Sequence, residues 1–387
     1  MVNLEQSIGR IFLVASLLMP QVFGLAIERY DFTEQSTKFA IDFYRNVFNT
    51  NENAILSPLS IQSTLSLLYH VANEKTATEM QRILGLPANP EQLRLNLQNL
   101  LNRTNSDDLR MASKIYHSQL SLHPDFLPVL QKSLGVDVEP ANFTHKQEVA
   151  DSVNQWAARS TKGLINEIIS PIDIRDSEHV ILLNAIVLDA KWKEPFWPFT
   201  IEKVFHFTNG DHIVGMMFMD GYFSYGEFDG LKALELPYED HTDLSMVLIL
   251  PTTGSLEDLV KRFNMELYTK MDSVMDVEKG EIEIPKFKTS SKIKAKDVLQ
   301  SMGLESAFEE GAFGVFAEHP AQLTELRQNA VIEVSESGTK AAAITVGGID
   351  LRSGPLYDFI ADRPFMYLIR RMSTKEIIFI GHFSHFK

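Results

Sequence analysis

Apolar residues recur along this chain with two different periods. In SIQSTLSLLYHVANEKTATEMQRILGL, from Ser60 to Leu86, they return every three or four positions, which predicts amphipathic helix with Ser60 and Thr76 as candidate caps. EQLRLNLQNLLNR repeats that pattern. Farther along, HVILLNAIVLDAKW, DLSMVLILP, GEIEIPKF, AVIEVS, PFMYLIRRM and EIIFIGHF are short runs rich in β-branched and aromatic residues, as strands are. Several lack polar alternation and predict strands buried on both faces. Helical patterns gather in the first half and strand patterns in the second. That favours an α+β fold over a regularly alternating α/β sheet.

Composition narrows the picture. The 387 residues are 44% hydrophobic and 22% charged, a globular profile, and no linker, repeat or charge block divides them, so one large domain is expected over 27–387. A net charge of −15 argues against nucleic acid or an anionic membrane as partner. No run in the body reaches the 18 apolar residues of a spanning helix. The first 26 residues have a polar head with Arg10, an apolar run from Ile11 to Met19, and small residues at Gly24 and Ala26. That is the layout of a signal peptide cleaved after Gly24 or Ala26, although Glu5 departs from it, and an amphipathic first helix of an intracellular protein is the alternative. Sequons at Asn102 and Asn142 agree with a secreted, glycosylated product. The absence of cysteine excludes disulfides and thiol chemistry.

A search for catalytic chemistry finds little. There is no HExxH, GxSxG, phosphate-binding loop or dinucleotide fingerprint, and the eleven histidines are scattered. No metal or cofactor is expected. Ser337 and Lys340 fit a Ser-x-x-Lys pattern too short to carry an enzyme reading.

The ordered series AILSPLSIQSTLSLLY, TATEMQRILGL, VNQWAARSTKGLINEII, ILLNAIVLDAKWKEPF, VGMM, ELPYEDHTDLSMVLILP, EIEIPKFK, AVIEVSESGTKAAAITV and FIADRPFMYLIRRMSTKEIIFIG resembles the serpin family over nearly the whole chain. The resemblance implies three β-sheets, about nine helices and an exposed reactive-centre loop over about 336–358. It implies a monomeric inhibitor whose loop is cleaved by a serine protease and then inserts into the main sheet, carrying the covalently bound protease with it. A segment that serves as both loop and buried strand needs small uncharged residues at alternate positions. From Thr339 one face reads Thr339, Ala341, Ala343, Thr345, Gly347 and Ile349, while Lys340 and Asp350 fall on the other.

The family's register, sixteen residues beyond hinge Glu336, puts the cleaved bond between Arg352 and Ser353. Arginine there suits a trypsin-like partner whose specificity pocket ends in a carboxylate. A slip of one residue would present Leu351 instead. The resemblance further assigns Glu336, Gly338, Thr339, Ala341, Ala342 and Ala343 to the hinge, and Lys286 as partner of Glu336. It places Trp192 where the sheet opens, and Ser57, Ser60, Asn184 and Gln328 in a polar cluster beneath the sheet. Gln328 stands where the family usually has histidine, Val71 and Ala190 where it has glycine, and Ile344 where a small residue is typical. The segment matching a polyanion-binding helix of some relatives carries only Arg94 and Arg103, so no activating polyanion is expected. A non-inhibitory serpin, acting as carrier, storage protein or chaperone-like binder, is the alternative reading.

Overall fold

The computed structural model describes residues 33–104, 106, 108–118, 136–175, 180–313, 322–339 and 356–386. The expected signal peptide over 1–26, the loop residues Ala341, Ala342, Ala343, Arg352 and Ser353, and the side chain of Asn102 lie outside the described residues.

Eight α-helices occur among the described residues: α1 (Thr33–Val47), α2 (Pro58–Leu68), α3 (Glu74–Leu84), α4 (Pro90–Thr104), α5 (Lys146–Ser160), α6 (Leu256–Arg262), α7 (Met265–Val274) and α8 (Ala295–Ser301). The helical pattern from Ser60 to Leu86 divides into α2 and α3 around a 3-10 turn at Tyr69–Val71. Neither expected cap holds. Pro58, with φ preset for a first helical turn, starts α2 directly after Ser57, which leaves Ser60 inside the helix. Asn73 caps α3 by accepting from the Thr76 amide at 2.8 Å, and Thr76 itself is buried.

The strands are β1 (Ala54–Leu56), β2 (Leu109–His117), β3 (Asp137–Pro140), β4 (Val180–Leu188), β5 (Ala190–Lys191), β6 (Thr200–Phe207), β7 (Gly210–Phe228) and β8 (Leu231–Pro237), followed by β9 (Leu244–Pro251), β10 (Asp276–Pro285), β11 (Phe287–Lys294), β12 (Glu325–Ser335), β13 (Gly338–Thr339), β14 (Tyr357–Ile360), β15 (Phe365–Arg371) and β16 (Ile377–Phe383). One hydrogen-bonded sheet runs β3-β2-β4-β12, with β11 on the far side of β12 and β13 and β5 at its upper end. The others join through β7. Its first part pairs with β6 and β10, and β14 lies beyond β10 at the edge. Its last residues pair with β8, which continues through β9, β15 and β16 to β1.

The doubly apolar strands are explained by layering. On β4, Ile181, Leu183, Ala185 and Val187 pack against α5, while Leu182, Ile186 and Leu188 on the other face join the two larger core clusters. β9, β15 and β16 are likewise buried at every position. β4 and β12 run parallel and paired from Ile181 and Glu325 to Val187 and Val331. Above that point the chain breaks at Asp189, and β5 stands far enough from β12 for β13 to fit between them. Among the described residues no helix is long and apolar enough to cross a membrane.

Candidate functional site: a two-residue strand above a polar row

At the top of β12 the chain turns through Glu336 and Ser337 and comes back as β13. Gly338 and Thr339 pair antiparallel with Ser335 and Val334 on one side, and with Lys191 and Ala190 on the other. Thr339 is fully buried, and its Oγ1 lies 2.8 Å from the Tyr238 hydroxyl. Gly338 has φ +147°, a conformation that L side chains rarely adopt. A Cβ there would also stand 2.4 Å from the Ala190 carbonyl oxygen. Only glycine fits.

Trp192 clamps this turn. Its backbone N–H donates to the Ser337 carbonyl at 3.2 Å, and its indole Nε1–H donates to the Ser335 carbonyl at 2.9 Å. The ring stacks on Tyr238 with centroids 4.5 Å apart. The Phe196 amide donates to the Glu336 carbonyl at 2.8 Å. Lys286, at the junction of β10 and β11, brings its ammonium to both Glu336 carboxylate oxygens at 3.0 and 3.3 Å. Lys286 is half exposed, so the pair contributes at most about 1 kcal/mol and acts mainly on register. Tyr238 was not among the residues singled out from the sequence, yet it touches both Trp192 and Thr339. Burial raises its pKa well above the usual tyrosine range, so it remains a neutral hydrogen-bonding group.

Roughly 24 Å lower along β12, at seven residues of about 3.4 Å each, lies the polar row. Ser113, Asn184 and Gln328 are cross-strand partners on β2, β4 and β12. Gln328 Nε2 donates to the Ser57 carbonyl at 2.7 Å and to Asn184 Oδ1 at 3.3 Å, while its Oε1 accepts from the Ser57 amide at 2.8 Å. Ser60 Oγ donates to Asn184 Oδ1 at 2.5 Å. Asn184 Nδ2 donates to Thr64 Oγ1 and Ser113 Oγ, each at 3.2 Å. Gln328 thus ties the start of α2 to both parallel strands, through an amide where histidine is usual. Ser57 belongs to the row through its backbone, and its hydroxyl has no hydrogen-bond partner among the described residues. Thr64 and Ser113 complete the network and went unnoticed in the sequence, because 49 to 120 residues separate them from their partners.

Of the two sequons, Asn142 is exposed just before α5, its Oδ1 accepting from the Thr144 hydroxyl at 2.8 Å. Val71 is buried in the larger core, and Ala190 lines the slot that holds Gly338.

Comparison with known proteins agrees with this geometry. Residues 34–386 match the family model described as "Serpin (serine protease inhibitor)". A leukocyte elastase inhibitor of Xenopus tropicalis is 31% identical over 375 residues, covering 90% of this chain and 97% of that protein. An uncharacterized serpin-like protein of Methanosarcina mazei is 29% identical over 374 residues, 92% of this chain and 88% of its own. The solved structure of a highly specific serpin of the insect Tenebrio molitor superposes with a TM-score of 0.84 at 26% identity, over 94% of this chain and all of that one. Native tengpin, a thermophilic serpin, gives 0.86 at 24% identity over 97% and 99%. Family model, relatives and fold converge on one conclusion: the chain belongs to the serpins, a family of protease inhibitors.

Proposed function

We propose that the protein is a secreted inhibitor of trypsin-like serine proteases that traps its target covalently. The observation carrying this reading is β13: Gly338 and Thr339 already occupy the sheet as the first two residues of a strand that the cleaved loop extends. Arg352 is thirteen residues beyond Thr339 and supplies a guanidinium for the carboxylate of a trypsin-like specificity pocket. The protease serine attacks the Arg352 carbonyl, the bond to Ser353 breaks, and the acyl-enzyme remains attached to the N-terminal part of the loop. Insertion then competes with hydrolysis of that ester. Secretion rests on the leader-like first 26 residues and on the sequons.

Incubation with trypsin tests the reading. The expected products are an SDS-resistant adduct and a released fragment beginning SGPLYDF. A fragment beginning with Arg352 would move the bait to Leu351, and complete cleavage without adduct would make the protein a non-inhibitory serpin. Expression in a secreting eukaryotic host should yield medium protein that begins at Leu25 or Ile27 and loses mass on deglycosylation. Retention of residues 1–26 would overturn the secretion proposal.

A further inference from the structure

The outer face of the sheet formed by β7, β10 and β14, the strand that follows the reactive loop in sequence, carries a row of exposed side chains whose composition is unusual for a solvated surface. Cross-strand register puts Asp220 on β7 opposite Glu281 on β10, and Glu281 opposite Asp358 on β14. Three carboxylates therefore stand in one row across adjacent strands, all exposed. Like charges placed directly opposite destabilise a sheet. Ion pairing nearby uses another carboxylate, Glu283, held by Lys203 at 2.6 Å. On the same face, by the two-residue alternation of strands, lie Tyr222, Val277, Leu356 and Ile360, with exposures of 61%, 71%, 75% and 39%. Lys279, between Tyr222 and Leu356 in the register, is buried. Among the described residues the three carboxylates enter no ion pair, although Lys232 Nζ donates to the Asp358 main-chain carbonyl at 2.8 Å, and an apolar strip bordered by such charge is the make-up of an interface core with a polar rim.

The geometry points to this face as a secondary docking surface for the protease held by the loop, selecting a target with a basic rim beside its cleft. This rests on the proposed cleavage at Arg352. Leu356 is four residues from Arg352, a span of at most about 14 Å. A protease domain of about 220 residues has a radius of gyration of about 17 Å. A body of that size attached so close to Leu356 reaches the face, which continues directly from the loop. The acidic row accelerates and selects the encounter through long-range attraction, and the apolar strip prolongs it.

A cationic and an anionic trypsin, which both cut after Arg and differ in the sign of their surface charge, test the proposal with the full-length protein. At low ionic strength the unmodified inhibitor should inactivate the cationic form faster by about tenfold or more, and the ratio should shrink with added salt. Glu281→Gln with Asp358→Asn should bring the ratio down by most of that factor. Glu148→Gln with Asp151→Asn, which removes two exposed acids from α5, should leave most of it. Tyr222→Ala with Val277→Ser should slow inactivation of both trypsins about threefold or more, independently of salt. Equal ratios in the unmodified protein and the Glu281/Asp358 variant, or equal losses from the α5 variant, would overturn the docking face while adducts still form. Absence of adduct with either trypsin would overturn the inhibitory reading and the docking face with it.

Discussion

The Tyr238 hydroxyl and the Thr339 hydroxyl lie 2.8 Å apart in a site closed to solvent, and this contact fixes the first inward-facing side chain of the hinge. Because Thr339 is already buried in the intact protein, a substitution there acts on both the resting state and the insertion step. Thr339→Arg would have to bury an unpaired charge, at a penalty of several kcal/mol. It should release β13 in the resting protein and slow insertion by about a hundredfold or more, since about 1.4 kcal/mol is a factor of ten. The expected result on a gel is cleavage after Arg352 with no SDS-resistant adduct. Wild-type adduct yield would show that the strand does not start at Thr339. Tyr238→Phe is the milder version, leaving the Thr339 hydroxyl unpaired at a cost on the order of 1 kcal/mol, readable in a urea midpoint.

Gly338→Ala tests the slot rather than the side chain that fills it. The added Cβ meets the Ala190 carbonyl oxygen and the Lys191 Cα, both backbone atoms with little room to move. With the strained φ, the penalty is about 1–3 kcal/mol. The hinge should leave the sheet, breaking the Trp192 contacts to the Ser335 and Ser337 carbonyls. A red-shifted tryptophan emission in the uncleaved variant, relative to wild type, is the measurement. An unchanged spectrum would contradict the placement of β13.

Gln328→Leu removes one side chain that serves three buried groups: the Ser57 amide, the Ser57 carbonyl and Asn184 Oδ1. Asn184 Oδ1 keeps Ser60 and the Ser57 carbonyl keeps the Ser60 and Ile61 amides, so the Ser57 amide is the group left unpaired, costing on the order of 2 kcal/mol. The loss falls where α2 bridges β4 and β12, so separation of these strands should become easier. The variant should form loop-sheet polymers on mild heating faster than wild type, as a ladder on a native gel. Gln328→His, which restores a donor and an acceptor, should largely reverse this. If the leucine and histidine variants polymerise alike, the row does not hold the strands together.

His382 predicts a pH dependence. Its ring is buried, with Nδ1 3.0 Å from the Tyr44 hydroxyl and Nε2 2.7 Å from the Glu52 carbonyl, a set that suits the neutral ring with its proton on Nε2. Burial lowers its pKa from 6.5 to about 4. The unfolded chain therefore binds the proton more tightly. His382's contribution is complete above pH 6.5 and declines as pH falls toward 4, by up to about 3 kcal/mol. His117, also lowered by burial, acts in the same direction. The difference between wild type and His382→Gln isolates the effect: the variant should lose less stability in urea between pH 7 and pH 4.5. Parallel pH profiles would remove His382 as the cause.

Legibility of the fold in the sequence depended on range. The strand runs of β4, β9, β15 and β16 were readable because burial on both faces leaves a continuous apolar string. Lys286 and Glu336 are brought together although 50 residues separate them. The helix starts were misplaced because caps are decided locally, by Pro58 and by Asn73, and the polar residues of a buried helix resemble caps. Ser63 and Thr64 instead bond the Ser60 carbonyl within their own helix, at 2.9 and 2.7 Å. Tyr238 carries no local sequence signal of its role. Its part in the site comes from meeting Thr339 across 101 residues, which no local pattern encodes.

The direction in which β13 runs has a further consequence. It is antiparallel to β12, and β12 is parallel to β4, so a strand prolonging β13 downward would be antiparallel to both neighbours. Before insertion those neighbours share one parallel ladder of seven residue pairs, Glu325–Ile181 to Val331–Val187. Afterwards the seam would hold two antiparallel ladders, the slightly stronger kind per residue. On the proposed inhibitory reading, every rung unzipped would be replaced at once by two, and the exchange would proceed from the end where Gly338 and Thr339 already sit. The resting molecule would then be a half-started zipper whose slider is two residues long, and cleavage would have only to free the tape.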